Sequence, residues 1–182
     1  MNIEKQALSL LMNVTVKKLH EAAIIPQRGT ELASGFDLHA LDVVHVDDLE
    51  RVPPDYYSDA IVFYDGITVW PGERVLIKTG IAVQMDRNME AQVRPRSGLS
   101  LKKGIHVALG TIDADYTGDI GVTLTNNGNE EFRIHRGDRV AQLVFVPVLH
   151  DVQLNEVDEL NETKRGVNGY GHTGTSQEVN TK

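Results

Sequence analysis

"RVLIKTGIAVQM", residues 74–85, decides the fold class. β-Branched and aliphatic residues dominate it, and they fit a pleated, half-buried surface. Outward in both directions the chain keeps this character. "VTVKKL", "FDLHA", "IVFY", "ITVW", "EAQVRPR", "DIGVTLTN", "EFRI" and "RVAQLVFVPVL" are short apolar segments broken by Gly, Pro, Asn and Asp. Many short strands at close spacing predict an all-β sandwich, barrel or jelly roll. Asp65-Gly66 and Asn127-Gly128 read as hairpin-type turns between strands. Helical spacing is confined to residues 3–11, through Ile3, Ala7, Leu8, Leu10 and Leu11.

The 182 residues suffice for one domain with short tails and can bury a core without disulfides. Residues 1–13 read as an N-terminal extension, 14–154 as the β domain and 155–182 as an extended arm in which strand character is lost. Within the domain, "DDLERVPPDYYSD" breaks the strand rhythm with prolines and acids, so about 47–69 is expected to be a surface excursion. A net charge of -8 and the lack of a basic run with interleaved aromatics argue against nucleic acid as a partner. No apolar run approaches the ~20 residues that span a bilayer. The start lacks a signal peptide's pattern and cysteine is absent, which together point to the cytoplasm.

The end of the chain, "RGVNGYGHTGTS" (165–176), is glycine-rich yet full of binding groups. "GYGHTG" satisfies G-x-G-x-x-G literally, but no strand precedes it and no helix can follow, so the dinucleotide reading fails. Neither a P-loop nor H-E-x-x-H occurs, and the histidines lack ligand spacing, which argues against zinc. A merely solvating tail has no need of Arg165 and Tyr170. Ordering such a segment costs about 1–2 kcal/mol per residue. Stacking one ring on a base returns ~1–3 kcal/mol, and each charge-assisted bond to phosphate ~1.5–3 kcal/mol. The terms nearly cancel, which describes a lid that orders over a nucleotide.

Four stretches of the body offer groups to match. "ASGFDLHA" (33–40) sets Asp37 in a strand after Ser34 and Gly35, where it either caps a turn or holds metal-bound waters. "VRPRSGLS" (93–100) ends a strand with Arg94 and Arg96, then Ser97 and Gly98; it could be an ordinary Pro-Gly turn, but the paired arginines favour a combination of guanidinium, hydroxyl and backbone donors suited to phosphate. "GTIDADYTGDIG" (110–121) carries Asp113, Asp115 and Tyr116 in what reads as a hairpin; acidic turns are common, so alone it is weak. "HRGDRVAQLVF" (135–145) brings Arg136, Asp138, Arg139 and the strand-borne Gln142, or is simply a charged turn before a core strand.

In order, "ASGFDLHA", "PRSGLS", "GTIDADYTGDIG", "RGDRVAQL" and "RGVNGYGHTG" resemble the trimeric dUTPase family, over about residues 33–174. The resemblance implies a jelly-roll-like β fold, a homotrimer whose active sites draw on all three subunits, and an arm that caps a neighbour's site. It implies hydrolysis of dUTP to dUMP and pyrophosphate with Mg2+, which limits uracil in DNA and supplies dUMP for thymidylate synthesis. By the same resemblance Asp113 is the general base that orients water for attack on the α-phosphorus, and Asp37 anchors metal-bound waters. Arg96, Ser97 and Gly98 meet the phosphates, as does Gln142. Tyr116 packs on the deoxyribose and excludes a 2′-hydroxyl, and backbone groups around Ala108 to Gly110 read uracil. In the arm, Arg165 meets the terminal phosphates, Tyr170 stacks on uracil, and Gly171, His172, Thr173 and Thr175 approach the triphosphate. The chain departs from many relatives in having Val167-Asn168-Gly169 before the aromatic, and the resemblance assigns the 47–69 stretch no role.

Two other readings compete. A dCTP deaminase shares the fold, but such relatives usually carry Pro-Gly-aromatic after the hairpin aspartate, where this chain has Ala114-Asp115-Tyr116, and they lack the glycine-rich arm. A nucleotide-responsive regulatory protein would use 47–69 as a surface for a protein partner, motivated by its length and by "PPDYYSD".

Overall fold

A computed structural model describes residues 13–51 and 66–169. The expected helix at 3–11 and the segment "IVFY" lie outside these residues, as do Asp65 and Tyr170 to Lys182. The body, up to His150, is an antiparallel jelly-roll-like β structure. Its strands are β1 (Thr15–Lys18), β2 (Gln27–Arg28), β3 (Phe36–His39), β4 (Asp42–His45), β5 (Ile67–Val69), β6 (Arg74–Lys78), β7 (Ile81–Gln84), β8 (Met89–Arg94), β9 (Ile105–Val107), β10 (Gly110–Ile112), β11 (Gly121–Asn126), β12 (Phe132–Ile134) and β13 (Arg139–Pro147). One sheet has the order β10-β8-β13-β3-β2 and another β4-β6-β11-β9, with two-stranded ribbons β1-β7 and β12-β5.

Period-two patterning explains the layers. In β8, Met89, Ala91 and Val93 are buried while Glu90, Gln92 and Arg94 are half-buried; in β11, Val122, Leu124 and Asn126 are buried and their neighbours half-buried. Leu38, Ala91, Val93 and Leu143 of the larger sheet join Val75, Ile77, Ile105 and Leu124 of the smaller one in a single core. Asn126, fully buried, ties β11 to β5 and to the connection into β12: its Nδ2 donates to Val69 O and Glu130 O, both at 2.8 Å, and its Oδ1 accepts from Gly128 N at 2.9 Å.

Several local expectations are corrected. "RVLIKTGIAVQM" is two strands, β6 and β7, with different partners. Gly80 (φ +67) breaks the run, and Asp119 Oδ1 accepts its N–H at 2.8 Å. The Asn127-Gly128 turn joins β11 to β12, which pair with different strands, so it crosses between sheets and closes no hairpin. The excursion placed at 47–69 ends sooner, because Ile67–Val69 is β5 and Val69 is fully buried; a 3-10 turn, Val46–Asp48, opens that region. Strands β2, β4 and β9 escaped the sequence reading, as did a helix.

That helix, α1 (Ser97–Lys103), stands where a strand was expected to give way to a turn. Pro95 stops β8, Arg96 enters with extended backbone (ψ 126), and Gly104 ends the helix in the left-handed region (φ 67). Leu99 packs on the core, and Ser100 Oγ donates to Ile105 O at 3.2 Å.

Residues from Asp151 onward form a separate unit. Its described part is free of regular elements, and Leu154 and Leu160 are exposed at 96% and 88%.

Candidate functional site

The larger sheet brings three of the quoted stretches to one place. Asp37 on β3 stands opposite Gln142 on the adjacent strand β13, which in turn stands opposite Arg94 on β8. Gln142 Nε2 donates to Pro95 O at 2.9 Å and so holds the corner that carries Arg96 and Ser97. Gly35 makes this possible: a Cβ there would lie 2.9 Å from Gln142 Cβ and closer still to its Oε1. Arg96 Nε pairs with Asp37 Oδ1 at 3.1 Å, Arg139 Nη1 with Oδ2 at 3.3 Å, and Arg96 Nη1 donates to Arg139 O at 3.0 Å.

These groups border a cleft of about 420 Å3 lined by Asp37, Arg96, Ser97, Gly98 and Gln142, with Lys102 and Lys103 from α1 at its side. Three cationic side chains face one carboxylate, so the cleft favours a polyanion although the chain is acidic overall. The Lys102-Lys103 pair was not singled out from the sequence; the signal was the basic dipeptide after "SGLSL", which becomes part of the cleft only because 97–103 is helical. The other cations singled out from the sequence have structural partners: Arg94 donates to Gln92 Oε1 and Arg136 Nε to Leu41 O at 3.1 Å.

His39, two residues beyond Asp37 and opposite Arg139, borders the same cluster. Its Nδ1 is buried with no protein partner. Burial holds its pKa below the ordinary 6.5; Asp37 pulls it up, and Arg139 and Arg96 push it down.

Asp113 and Tyr116 lie elsewhere. The hairpin expected over 110–121 does not form, since β10 pairs with β8 in one sheet and β11 with β6 and β9 in the other. The segment is a crossover, and its first turn is closed by Tyr116 N donating to Asp113 O at 3.1 Å. Asp113 is exposed and lines a cleft of about 480 Å3 with Glu90, Asp115, Arg87 and His150. Tyr116 is 45% exposed, and its hydroxyl donates to Asp119 O at 3.0 Å, over Gly118. Ala108 to Gly110 is likewise part of a crossover, from β9 to β10, and Ala108 N–H is donated to Thr123 O at 3.0 Å. Any base reading there must use other backbone groups.

In the C-terminal unit, Arg165 Nε donates to Asn168 O at 3.0 Å, and Gly166 (φ 55) and Val167 form a turn between them. Tyr170, Gly171, His172, Thr173 and Thr175 lie outside the described residues. A single chain therefore brings Asp37, Arg96, Ser97, Gly98 and Gln142 together and sets Asp113 in a different cleft.

For a divalent cation, no group of three or more His, Cys, Asp or Glu that could hold a metal exists among the described residues. The Asp37 carboxylate beside the Gln142 carboxamide is a hard oxygen set. It fits a magnesium ion coordinated by phosphate and water, with the waters donating to a single carboxylate, and it does not form an all-protein cage.

A family model described as dUTPase matches residues 59–174. The deoxyuridine 5'-triphosphate nucleotidohydrolase of Heliobacterium modesticaldum is 54% identical over 169 residues, which cover 92% of this chain and 99% of that protein. Among solved structures, the Staphylococcus bacteriophage 80alpha dUTPase with dUPNHPP matches with a TM-score of 0.72 at 25% identity, covering 90% of this chain and 99% of that one. A mutant dUTPase of phage phi11 of S. aureus, reported for the coordination of a structural Mg(II) ion, matches with a TM-score of 0.63 at 25% identity, covering 81% and 97%. A family model spanning more than half of the chain, and a relative identical at more than half of the aligned positions, establish that this chain belongs to the dUTPase family.

Proposed function

We propose that this chain hydrolyses dUTP to dUMP and pyrophosphate by attack of water on the α-phosphorus, as a homotrimer with shared active sites. The observation that carries the reading is the cationic cleft in which Arg96, Ser97, Gly98 and Gln142 surround Asp37. A triphosphate is the ligand whose charge matches it. Arg96 and Ser97 bind phosphate oxygens and stabilise the charge that gathers on the pyrophosphate leaving group. Gln142 keeps their corner in place through Pro95 O.

Asp113 accepts the proton of the attacking water, a role for which an exposed carboxylate on a crossover is accessible. It lines a different cleft from Ser97 in the same chain, which favours an active site assembled from more than one copy. Tyr116, fixed at its hydroxyl by Asp119 O, offers its ring as a rigid wall against a 2′-hydroxyl. Arg165 closes on the terminal phosphates, and Tyr170, Gly171, His172 and Thr173 complete the lid over the base and triphosphate.

Magnesium, anchored through water by Asp37, supplies neutralisation of the triphosphate charge when bound. A cysteine-free enzyme of the nucleotide pool belongs in the cytoplasm. The dCTP deaminase and regulatory alternatives are not favoured, and the 47–69 stretch has no role in this reading. Pyrophosphate release measured across dUTP, dTTP, dCTP and UTP with magnesium tests it: dUTP alone should turn over efficiently. Equal turnover of dCTP or UTP would overturn it.

A further inference from the structure

Both oxygens of Asp37 are taken by cations of its own chain, Oδ1 by Arg96 and Oδ2 by Arg139. The arginines are also tied to each other through Arg139 O. The Asp37 side chain keeps 16% of its exposure, that of Arg96 29% and that of Arg139 54%. Counting both guanidinium groups, this cluster has a net positive charge, and Lys102 and Lys103 line the same cleft. A divalent cation arriving without phosphate is repelled there, and its bound waters must compete with two guanidinium groups for the carboxylate.

The arginines are not equivalent. Arg96 lines the cleft with Ser97 and Gly98, whereas Arg139 stands at the start of β13 opposite His39. A polyanion in the cleft therefore competes for Arg96 first. If Arg96 left with no second cation present, a largely buried carboxylate would lose its compensation. Arg139 supplies that compensation from the far oxygen.

We infer that the Arg96–Arg139 clamp withholds Asp37 from divalent cations until a triphosphate draws Arg96 away, and that Arg139 is the positioning residue that then holds the carboxylate. This rests on the preceding reading only in taking a triphosphate as the ligand of the cleft. The clamp makes metal binding follow nucleotide binding, and it gives a role to an arginine outside the residues proposed to touch substrate.

Mn2+ serves as the probe, its free concentration read by electron paramagnetic resonance on the full-length protein without nucleotide. Arg139→Gln is expected to bind Mn2+ at least about tenfold tighter than the parent chain, equivalent to ~1.4 kcal/mol. Arg139→Lys, which keeps the charge, should behave as the parent, and adding Asp37→Asn to Arg139→Gln should abolish the gain. A parallel arm needs no Arg139 variant: the parent chain should take up Mn2+ through Asp37 only when inorganic triphosphate is added. Asp37-dependent Mn2+ uptake by the parent without any phosphate overturns the inference, as does an Arg139→Gln protein that is folded and unchanged. Hydrolysis of dUTP by the same parent preparation is scored separately. Turnover with unchanged Mn2+ affinity in Arg139→Gln sinks the clamp alone; no turnover with the expected Mn2+ pattern sinks the substrate reading alone.

Discussion

Gly35→Ala is the sharpest test of how the site is held. A Cβ at Gly35 would lie 2.9 Å from Gln142 Cβ, 3.1 Å from its Cδ and nearer still to its Oε1. Swinging the amide away relieves two of these contacts but not the first, because Gln142 Cβ is fixed to strand β13 between β3 and β8. Overpacking of this kind costs about 1–3 kcal/mol. Displacing the amide also breaks its 2.9 Å bond to Pro95 O, a further ~1 kcal/mol. The expected destabilisation is therefore ~2–4 kcal/mol, read as a lowered urea midpoint at fixed protein concentration. Releasing Pro95 also loosens the Arg96-Ser97 corner, and misplacement of binding groups by about 1 Å can lower turnover about 100-fold. In a Gln142→Gly background the same alanine meets neither Cβ nor amide, so its added effect on stability should fall within ~0.5 kcal/mol. An alanine that is harmless in the parent, or equally damaging in both backgrounds, would refute the proposed contact.

Asp113→Asn should retain affinity for a non-hydrolysable dUTP analogue and lose turnover by about 100- to 10,000-fold in single-turnover assays; near-parental turnover would remove Asp113 from the role of base. Asn126→Leu removes three hydrogen bonds from a fully buried side chain, so a loss of ~3 kcal/mol is expected at ~1 kcal/mol per bond. A chemical-denaturation shift under ~1 kcal/mol would show that the β12-β5 ribbon is held to β11 by other means. His39 gives the stability a pH dependence of definite sign. Its folded pKa lies below 6.5, mainly through burial, so as pH falls through 6.5 the unfolded chain takes up the proton first and stability is lost; above that window the effect vanishes. With chelator present, His39→Gln should flatten the fall in urea midpoint between pH 7.5 and 5.5, and an unaltered slope would assign the pH dependence to other groups. Ending the chain before Arg165 should leave a folded protein that hydrolyses dUTP poorly, checked by circular dichroism and pyrophosphate release; undiminished hydrolysis would remove the arm from the lid role.

What could be read from the sequence follows from the range of the forces involved. Period two in "EAQVRPR" and "DIGVTLTN" is a local consequence of one buried face, so β8 and β11 emerge from the residues alone. β2 has only two residues and β4 and β9 four and three, too few to establish a period. Their strand state is set by partners far away in the chain, as in the register of Asp42 with Lys78. Helix α1 was hidden for a similar reason. "SGLSLKK" is short and has only Leu99 against the core, and what stabilises it is Pro95 behind, Gly104 ahead and the Ser100 bond to Ile105 O. Both supposed hairpins look local in sequence, but their flanking strands belong to different sheets, a choice that only the assembled core makes.

The site divides along the same line. Asp37, Arg96 and Gln142 stood out because polar residues set beside strand runs are few, and three adjacent strands of one sheet do bring their segments together. Their mutual arrangement was not readable. Nothing in "RGDRV" says that Arg139 would take the second oxygen of Asp37, or that its carbonyl would accept from Arg96, because both contacts depend on the β3–β13 register and on the irregularity between Arg139 and Ala141. Glycine shows the contrast most clearly. Gly35 stands two residues before Asp37 and reads as a turn residue, but its φ is unexceptional and its constraint is steric, imposed by a glutamine more than one hundred residues away. A motif in this chain is thus less a set of reacting groups than a set of packing constraints that hold a few such groups. The same logic explains why Asp113 stands apart from the cleft of Ser97. The sheet that unites Asp37, Arg96 and Gln142 sends the segment after β10 across to the other layer, which is why the proposed function calls on a second copy to bring Asp113 to the cationic cleft.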